Sequence, residues 1–303
     1  MRALVGYTGF VGSNIYAKGD IDAAYNSSNI ESAFGTQPEL LIYAGMRAEK
    51  YLANTNPEGD FALVEQAEEN ISQIKPRKLV LISTIDVLKK PVDVDEDTPI
   101  DTENLHPYGL NRYRLEEWVR SNYEDALIVR LPGLFGRNIK KNFIFDYINV
   151  IPTMLKDKKF LELSEKDPEL KKYYKCADNG FYKVKEEIDN KDYLKGIFRK
   201  LGFSALNFTD SRSVYQFYNL DRLWEDIKIA LSNDISLLHL ATEPISAGEV
   251  YSYLTGESFV NELDGNPAMY NFKTKYADLY GGRNGYLCDK DTVLKDIKEF
   301  VNK

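Results

Sequence analysis

The sequence has 303 residues but only two cysteines and two histidines. Cys176 and Cys288 lie far apart and show no metal-type spacing, which argues against a disulfide framework or a zinc site and predicts two free thiols. With His106 and His239 as the only histidines, a histidine-based metal centre or a Ser-His-Asp triad is not expected. We predict no metal, and catalysis would rest on tyrosine, threonine, carboxylates and a cofactor.

The chain also lacks an excess of positive charge and any long apolar run. It has 39 Lys and Arg against 47 Asp and Glu, a formal net charge of -8, which argues against nucleic acid or an anionic membrane as the main partner. No apolar run approaches the roughly 20 residues of a membrane span, and the first residues enter a strand without a signal peptide. We therefore expect a globular cytoplasmic protein.

What the chain does have is a glycine-rich turn at its start. The apolar strand of residues 2–5 runs into Gly6, Gly9 and Gly12, and an apolar helix pattern follows at once. Gly6 permits the turn, Gly9 lets backbone amides approach a pyrophosphate, and Gly12 lets the helix pack close to the strand. The helix N-terminus would then face the anion, so the pattern predicts a dinucleotide site.

Strands and helices alternate after this turn. Apolar runs at residues 40–44, 79–82 and 126–131 are typical of buried strands, with helical patterns between them. This alternation predicts an α/β fold with a doubly wound parallel (Rossmann) sheet, whose ligands bind beyond the carboxyl ends of the strands. We expect a dinucleotide-binding domain over residues 1–150, with about 203–240 returning to it, and a smaller, mostly helical C-terminal substrate domain over 151–303.

Six motifs in order resemble one family. They are Gly6-x-x-Gly9-x-x-Gly12, Ser83-Thr84-x-x-Val87, Pro107-Tyr108-Gly109-x-x-Arg112, Arg130-Leu131-x-x-x-x-Gly136, and the stretches 215–221 and 241–246. The chain resembles the extended short-chain dehydrogenase/reductase superfamily, within the NAD(P)-dependent epimerase/dehydratase group that acts on nucleotide sugars. The resemblance covers most of the chain up to about residue 255 and implies a nucleotide-sugar substrate and a homodimer.

The resemblance implies that Tyr108 is the acid/base and that Thr84 binds the reacting oxygen. A phenol is a poor base at neutral pH unless a nearby cation favours the phenolate. The family places a lysine one helical turn on, where this chain has Arg112, and an arginine is not equivalent to a lysine at such a site. Lys89 or Lys90 would be other sources of charge. The alternative is a packed Tyr108 beside a surface Arg112.

The expected cofactor is NAD or NADP, with NADP slightly favoured. The second strand ends in Asn26, Ser27, Ser28 and Asn29, with no carboxylate to repel a 2′-phosphate, although these residues also suit a simple turn. The complete predicted cofactor set is Gly6, Thr8, Gly9, Phe10, Val11, Gly12, Asn26, Ser27, Ser28, Ala44, Gly45, Ser83, Tyr108 and Arg112.

The predicted substrate residues are Asp86, Asn138, Asn142 and Arg212. Nucleotide-sugar 4,6-dehydratases have a glutamate at the Asp86 position and an acidic residue beside it. This chain has Ile85 as the neighbour, which disfavours a dehydratase reaction. The alternative for Asp86 is a loop carboxylate without a catalytic role. Residues 156–202 have no familiar motif and are expected to be a helical part of the substrate domain or a lid. Leu115, Trp118 and Val119 would serve either a dimer bundle or the core.

These inferences lead to an NAD(P)-dependent oxidoreductase or epimerase acting on a nucleoside-diphosphate sugar. An NADPH-dependent 4-keto-sugar reductase is the alternative within this class. The competing class is a non-catalytic dinucleotide-binding protein that lost proton transfer when arginine took the lysine position.

Overall fold

A computed structural model describes residues 1–177 and 180–303. The chain divides into two compact units. The first consists of Met1–Ile139, Val214–Ile245 and Ala268–Lys303, and the second of Lys140–Ser213 and Ser246–Pro267. Within the described residues, no helix combines the length and the apolar character needed to cross a membrane.

The described residues form thirteen strands. In chain order they are β1 (Arg2–Val5), β2 (Ala23–Tyr25), β3 (Leu40–Tyr43), β4 (Leu79–Thr84), β5 (Leu127–Leu131), β6 (Gly133–Phe135), β7 (Met154–Lys156), β8 (Tyr174–Ala177), β9 (Phe181–Val184), β10 (Val214–Tyr215), β11 (Phe217–Asn219), β12 (Leu237–His239) and β13 (Ile245–Ser246).

Ten α-helices lie in the same described ranges. They are α1 (Phe10–Lys18), α2 (Lys50–Thr55), α3 (Pro57–Ile74), α4 (Pro107–Asn122), α5 (Phe143–Asn149), α6 (Asp157–Lys166), α7 (Lys191–Lys200), α8 (Leu223–Ser232), α9 (Ala247–Thr255) and α10 (Lys290–Val301).

The first unit is built on a six-stranded sheet in the order β2-β1-β3-β4-β5-β12. Every pairing in it is parallel, which confirms the predicted fold class. Strand β1 lies between β2 and β3, and the chain order reverses there, since β2 lies on one side of β1 and all later strands lie on the other. In open parallel sheets, ligands bind at such a reversal, beyond the carboxyl ends of the strands.

Both faces of this sheet are covered, as the alternating side chains of buried strands require. Leu4, Ile42 and Val80 pack on one face with α1 and α8, whereas Val5, Leu41 and Leu81 pack on the other with α3 and α4. The result is a helix–sheet–helix sandwich. Leu115 and Val119 of α4 belong to this core, so these two side chains serve packing, while Trp118 is only partly buried against it.

The second unit has its own apolar core. This core includes Leu155, Phe160, Leu163, Leu194 and Phe198, from β7, α6 and α7. The sequence predicted helices here, and α6 and α7 are present, but β7, β9 and β8 also form a three-stranded antiparallel sheet. The two-domain assignment with a substrate role for the later residues stays a prediction, and residues 268–303 pack within the first unit.

Candidate functional site

The glycine turn after β1 is a close-packed backbone cradle. Gly6 has a φ of +92°, and a Cβ on it would lie 2.4 Å from the Ala44 carbonyl oxygen, at the end of β3. A Cβ on Gly12 would lie 2.1 Å from the Gly6 oxygen. Only glycine fits at either position, since backbone atoms cannot rotate out of the way. Gly45 is also tight, because its Cβ would meet the Val5 side chain at 3.1 Å.

Gly9 differs from the other two glycines. A Cβ there would meet only the Gly6 oxygen, at 3.2 Å, so the fold itself does not demand glycine as strictly. Gly9 is the N-cap residue of α1 and supplies no capping side chain, and the first turn of the helix carries no acidic residue. The first turn of α1 therefore has no capping side chain from Gly9 and no acidic residue, and such a helix N-terminus suits an anion.

Thr8, Phe10 and Val11 complete this turn as predicted neighbours of the glycines. Thr8 is exposed, whereas Phe10 and Val11 are partly buried against the core. The Ser13 hydroxyl donates to the Phe10 carbonyl at 3.1 Å, and the buried Asn14 amide donates to the same carbonyl at 2.8 Å. The start of α1 is thus fixed by its own side chains.

The end of β2 is a closed polar turn. The Asn26 Oδ1 atom accepts from the Ser28 amide at 2.9 Å and from the Ser28 hydroxyl at 2.6 Å. The Asn29 Oδ1 atom accepts from the Asn26 amide at 2.7 Å, and Ser27 is exposed. The side chains of Asn26, Ser28 and Asn29 therefore act as turn residues in this structure, as the simpler interpretation predicted.

The two predicted catalytic hydroxyls meet at the end of β4. Thr84 is the last residue of this strand, and Tyr108 lies in the first turn of α4. Their side chains are close enough for the Thr84 hydroxyl to lower the pKa of the Tyr108 phenol. A Cβ on Gly109 would lie 2.2 Å from the Asp86 carbonyl oxygen, so a glycine lets α4 begin directly against this strand end. The sequence motif thus brings its two hydroxyls together.

The Tyr108 phenol is buried, with 6% of its surface exposed. Burial raises its pKa above the ordinary value, and the Arg112 charge and the Thr84 hydrogen bond lower it only in part. The negative charges of Asp86 and Asp60 also raise the pKa of Tyr108. At neutral pH the phenol is therefore protonated.

Arg112 faces the Tyr108 ring and pairs with Asp60. Its guanidinium carbon lies 4.6 Å from the Tyr108 ring centroid, so the cation faces the ring. Its two terminal nitrogens donate to the two carboxylate oxygens of Asp60, at 2.9 and 3.0 Å, and one of them also donates to the Arg47 carbonyl at 2.6 Å. Arg112 is 3% exposed and is a buried ion-pair residue.

The segment after β3 holds α4 in place, a role that the sequence analysis missed. The Asn54 Oδ1 atom accepts from the Tyr108 amide at 3.0 Å. The Asn111 amide donates to the Pro57 carbonyl at 3.1 Å and to Asp60 at 3.0 Å. Together with the Arg112–Asp60 pair, these bonds fix the first turns of α4 and therefore the position of the phenol.

A second ion pair lies at the same strand end. The Lys50 Nζ atom is 2.9 Å from Asp86 Oδ1, which also accepts from the Tyr270 hydroxyl at 3.3 Å. The cations proposed from the sequence were Lys89 or Lys90. Lys89 binds Asp101 at 3.0 Å and the Glu103 carbonyl at 2.6 Å, so its ammonium is paired with these groups.

His106 caps α4. Its Nδ1 atom accepts from the Gly109 amide at 3.0 Å, which assigns the ring proton of the neutral form to Nε2. Burial lowers the pKa of His106, the Lys50 charge lowers it further, and Asp86 opposes them. His106 is therefore neutral at neutral pH.

Ser83 enters a buried ionic network. Its hydroxyl donates to Glu116 at 2.6 Å, and Glu116 also accepts from Arg130 Nη2 at 2.6 Å. Arg130 contacts the His239 ring at 3.2 Å, and burial followed by the Arg130 charge lowers the pKa of His239 to about 3. Glu116 and His239 are fully buried. The network joins α4 to β4, β5 and β12 and supports the strand end at Thr84.

The predicted substrate residues fall in different places. Asp86 lies beside Tyr108, as described. The Asn138 amide donates to the Ser13 hydroxyl at 3.1 Å, at the start of α1. Asn142 and Arg212 belong to the second unit, where Asn142 caps α5 and Arg212 pairs with Asp210 at 2.7 Å and Glu262 at 3.0 Å. A substrate role for these four residues stays a prediction.

No family model matches the sequence, and no curated protein matches it. Solved structures do match across almost the whole chain. RMD of Pseudomonas aeruginosa, solved with NADPH, is 13% identical at a TM-score of 0.65, with 99% of this chain and 97% of that chain covered. The dTDP-4-dehydrorhamnose reductase of Bacillus anthracis, solved with NADP, is 15% identical at a TM-score of 0.63, with 99% of this chain and 96% of that chain covered. UDP-glucose 4-epimerase of Thermotoga maritima, solved with UDP-glucose, is 14% identical at a TM-score of 0.63, with 100% of this chain and 98% of that chain covered.

The chain has the fold of the extended short-chain dehydrogenases/reductases. Within this dehydrogenase/reductase fold, the sequence located the glycine turn, Thr84 and Tyr108. It missed Lys50, Asn54, Asp60 and Glu116. One signal was available for Asp60, since it starts the buried stripe Asp60, Val64, Ala67, Ile71 and Ile74 of α3. A carboxylate in such a stripe requires a buried partner, and Arg112 is that partner.

Proposed function

We propose that the protein is a member of the extended short-chain dehydrogenase/reductase superfamily and an NAD(P)-dependent oxidoreductase acting on a nucleotide-linked sugar. The observation that carries the proposal is the placement of Thr84 and Tyr108 at the end of β4, close enough for the Thr84 hydroxyl to lower the pKa of the phenol. This pair lies at the same carboxyl edge of the sheet as the glycine turn. A scaffold or a pure core tyrosine does not need both features at one sheet edge.

The glycine turn fits the diphosphate of a dinucleotide. Gly6 and Gly12 keep the turn compact, and the uncapped first turn of α1 offers backbone amides to the anion. A bound nicotinamide would supply the hydride chemistry. Because the end of β2 has no carboxylate, nothing there repels a 2′-phosphate, and NADP fits as well as NAD.

Thr84 and Tyr108 would handle the reacting oxygen of the sugar. The Thr84 hydroxyl positions that oxygen by a hydrogen bond, and the Tyr108 phenol exchanges a proton with it. Asp86 is not assigned proton transfer in this proposal. Its carboxylate is bound by Lys50 and by the Tyr270 hydroxyl, which favours a role in shaping the site over a role as a free base.

The matched structures support the choice of ligands. Two of the three were solved with NADPH or NADP, and the third with UDP-glucose. Their identities of 13 to 15% support the fold, so the activity of this chain depends on its own residues. The placement of Thr84 beside Tyr108 at the strand end favours a catalytic function over dinucleotide binding alone.

The experiment is a calorimetric titration of the purified protein with NAD, NADH, NADP and NADPH, followed by incubation with nucleotide-linked sugars. We expect saturable binding of at least one oxidised and reduced pair. Steady oxidation of NADPH by a 4-keto sugar would identify a reductase, and sugar interconversion with retained cofactor would identify an epimerase. Absence of binding by all four dinucleotides would overturn the proposal.

A further inference from the structure

One cation, Arg112, contacts the Tyr108 ring, and a second, Lys50, binds a carboxylate that acts on the phenol. Asp60 binds both terminal nitrogens of Arg112, at 2.9 and 3.0 Å. Asp86 binds Lys50 at 2.9 Å. The four groups come from α4, α3, α2 and the 3-10 helix after β4, which surround the start of α4. Of these groups, Arg112 lowers the pKa of the phenol, and the two carboxylates raise it.

The inner of the two pairs is shielded from solvent. The side chains of Arg112 and Asp60 are 4% and 8% exposed, so water screens their interaction little. The planar fork of arginine matches the two carboxylate oxygens, and the guanidinium presents its face to the Tyr108 ring. This differs from a lysine whose ammonium would bind near the phenol oxygen.

The remaining polar groups that face Tyr108 are uncharged. His106, the N-cap of α4, accepts from the Gly109 amide, and burial together with Lys50 keeps its pKa low. Thr84, from β4, contributes a hydroxyl. Among the groups that the structure places around Tyr108, each cation is therefore matched by an anion.

We propose that Asp60 favours Tyr108 as a proton donor: by pairing with Arg112 it opposes the charge that would otherwise favour the phenolate more strongly, and the site is built to reduce a carbonyl. The inference rests on the proposed function and specifies its direction. In the step, the carbonyl carbon gains a hydride supplied by a reduced nicotinamide dinucleotide, and the carbonyl π bond breaks. The carbonyl oxygen takes the Tyr108 proton, and a proton taken up from the solvent restores the phenol, so each turnover consumes one hydride and one proton.

Asp60 is a positioning residue in this account because it acts through Arg112. The test measures the ionisation of Tyr108 directly in protein without cofactor. Protein labelled with 3-fluorotyrosine is titrated by fluorine NMR, and the resonance that is missing from Tyr108→Phe identifies the residue. Fluorine also lowers the phenol pKa, so that the titration falls where the protein is folded.

We expect Asp60→Asn to lower the Tyr108 titration midpoint by about one pKa unit or more, because the Arg112 charge is then uncompensated. Asp60→Glu, which keeps the carboxylate, should hold the midpoint near that of the wild type. An unchanged midpoint in Asp60→Asn would overturn the inference.

A second variant covers the case in which Asp60→Asn does not fold. Asp60→Leu combined with Arg112→Met removes both charges, and apolar replacement of a buried ion pair is often tolerated. We expect its Tyr108 midpoint to lie at or above that of the wild type, since the Arg112 charge is removed together with the carboxylate that opposes it. A fall of about one unit or more would show that Asp60 acts on the phenol without Arg112, and would contradict the inference.

The proposed function and this inference fail separately. If the titration behaves as expected but no dinucleotide binds, the cofactor assignment is wrong and the role of Asp60 stands. If dinucleotides bind and sugars turn over but Asp60→Asn leaves the Tyr108 midpoint unchanged, the inference is wrong and the proposed function stands.

Discussion

Gly12→Ala gives the sharpest test of the glycine turn. The new Cβ would lie 2.1 Å from the Gly6 oxygen and 2.6 Å from the Gly6 carbonyl carbon. Ordinary carbon contacts begin at about 3.5 Å, so the turn and α1 must separate by more than an ångström. Overpacking of this kind costs about 1–3 kcal/mol, and the same displacement moves the amides that would bind a diphosphate.

Gly9→Ala separates stability from binding. Its Cβ meets only the Gly6 oxygen, at 3.2 Å, so the fold should accept it with a small shift. A ligand that approaches the backbone at Gly9 would not accept it. Gly196→Ala in α7 is the matched control, because nothing lies within 4 Å of its Cβ, and alanine should stabilise the helix by up to about 1 kcal/mol.

The assay combines thermal unfolding with fluorescence titration of NADH and NADPH. We expect Gly12→Ala to lower the Tm and to weaken dinucleotide binding by about tenfold or more, equivalent to about 1.4 kcal/mol. Gly9→Ala should weaken binding with little change in Tm, and Gly196→Ala should bind as the wild type does. Wild-type affinity in both Gly9→Ala and Gly12→Ala would refute the assignment of the turn as a dinucleotide site.

Two further predictions concern stability. Glu116→Gln leaves the buried Arg130 without its charged partner and should lower the free energy of urea unfolding by about 3–5 kcal/mol. The control Glu117→Gln changes an exposed neighbouring residue and should lower it by at most about 1 kcal/mol. Equal losses in the two variants would contradict the role of the network. Burial raises the pKa of Asp146 from 3.8 to about 7, so the folded state favours the neutral carboxyl. The free energy of unfolding therefore falls as the pH rises from about 4 through 7, because the buried carboxyl must ionise. Asp146→Asn should therefore raise the Tm at pH about 8 and leave it nearly unchanged at pH about 4. A variant less stable than the wild type at the higher pH would show that the carboxylate has a favourable partner.

The local parts of the fold follow from local sequence patterns. The spacing of Gly6, Gly9 and Gly12 directly after an apolar strand fixes a tight turn, and the structure shows the steric reason at two of the three positions. The alternation of apolar strands and helices predicted the parallel sheet, which is present. These features depend on neighbours in the sequence, so a single chain is enough to find them.

The support of the site depends on distant pairs, which local patterns do not show. Asp60 and Arg112 are 52 positions apart, and Lys50 and Asp86 are 36 apart. Arg112 therefore looked like either a substitute for lysine or a surface charge, and the structure shows a third arrangement. Residues 156–202 were expected to be a helical part of the substrate domain or a lid. Helices α6 and α7 lie there, but β8 and β9 also pair there as antiparallel strands.

The most direct test of the central claim compares turnover by the wild type and Tyr108→Phe. Phenylalanine keeps the ring that packs beside Arg112 and removes only the hydroxyl that contacts Thr84. With NAD(P)H and a nucleotide-linked keto sugar, we expect the rate to fall by about a hundredfold or more, with dinucleotide affinity nearly unchanged. Equal rates in the two proteins would contradict the claim that Tyr108 transfers the proton.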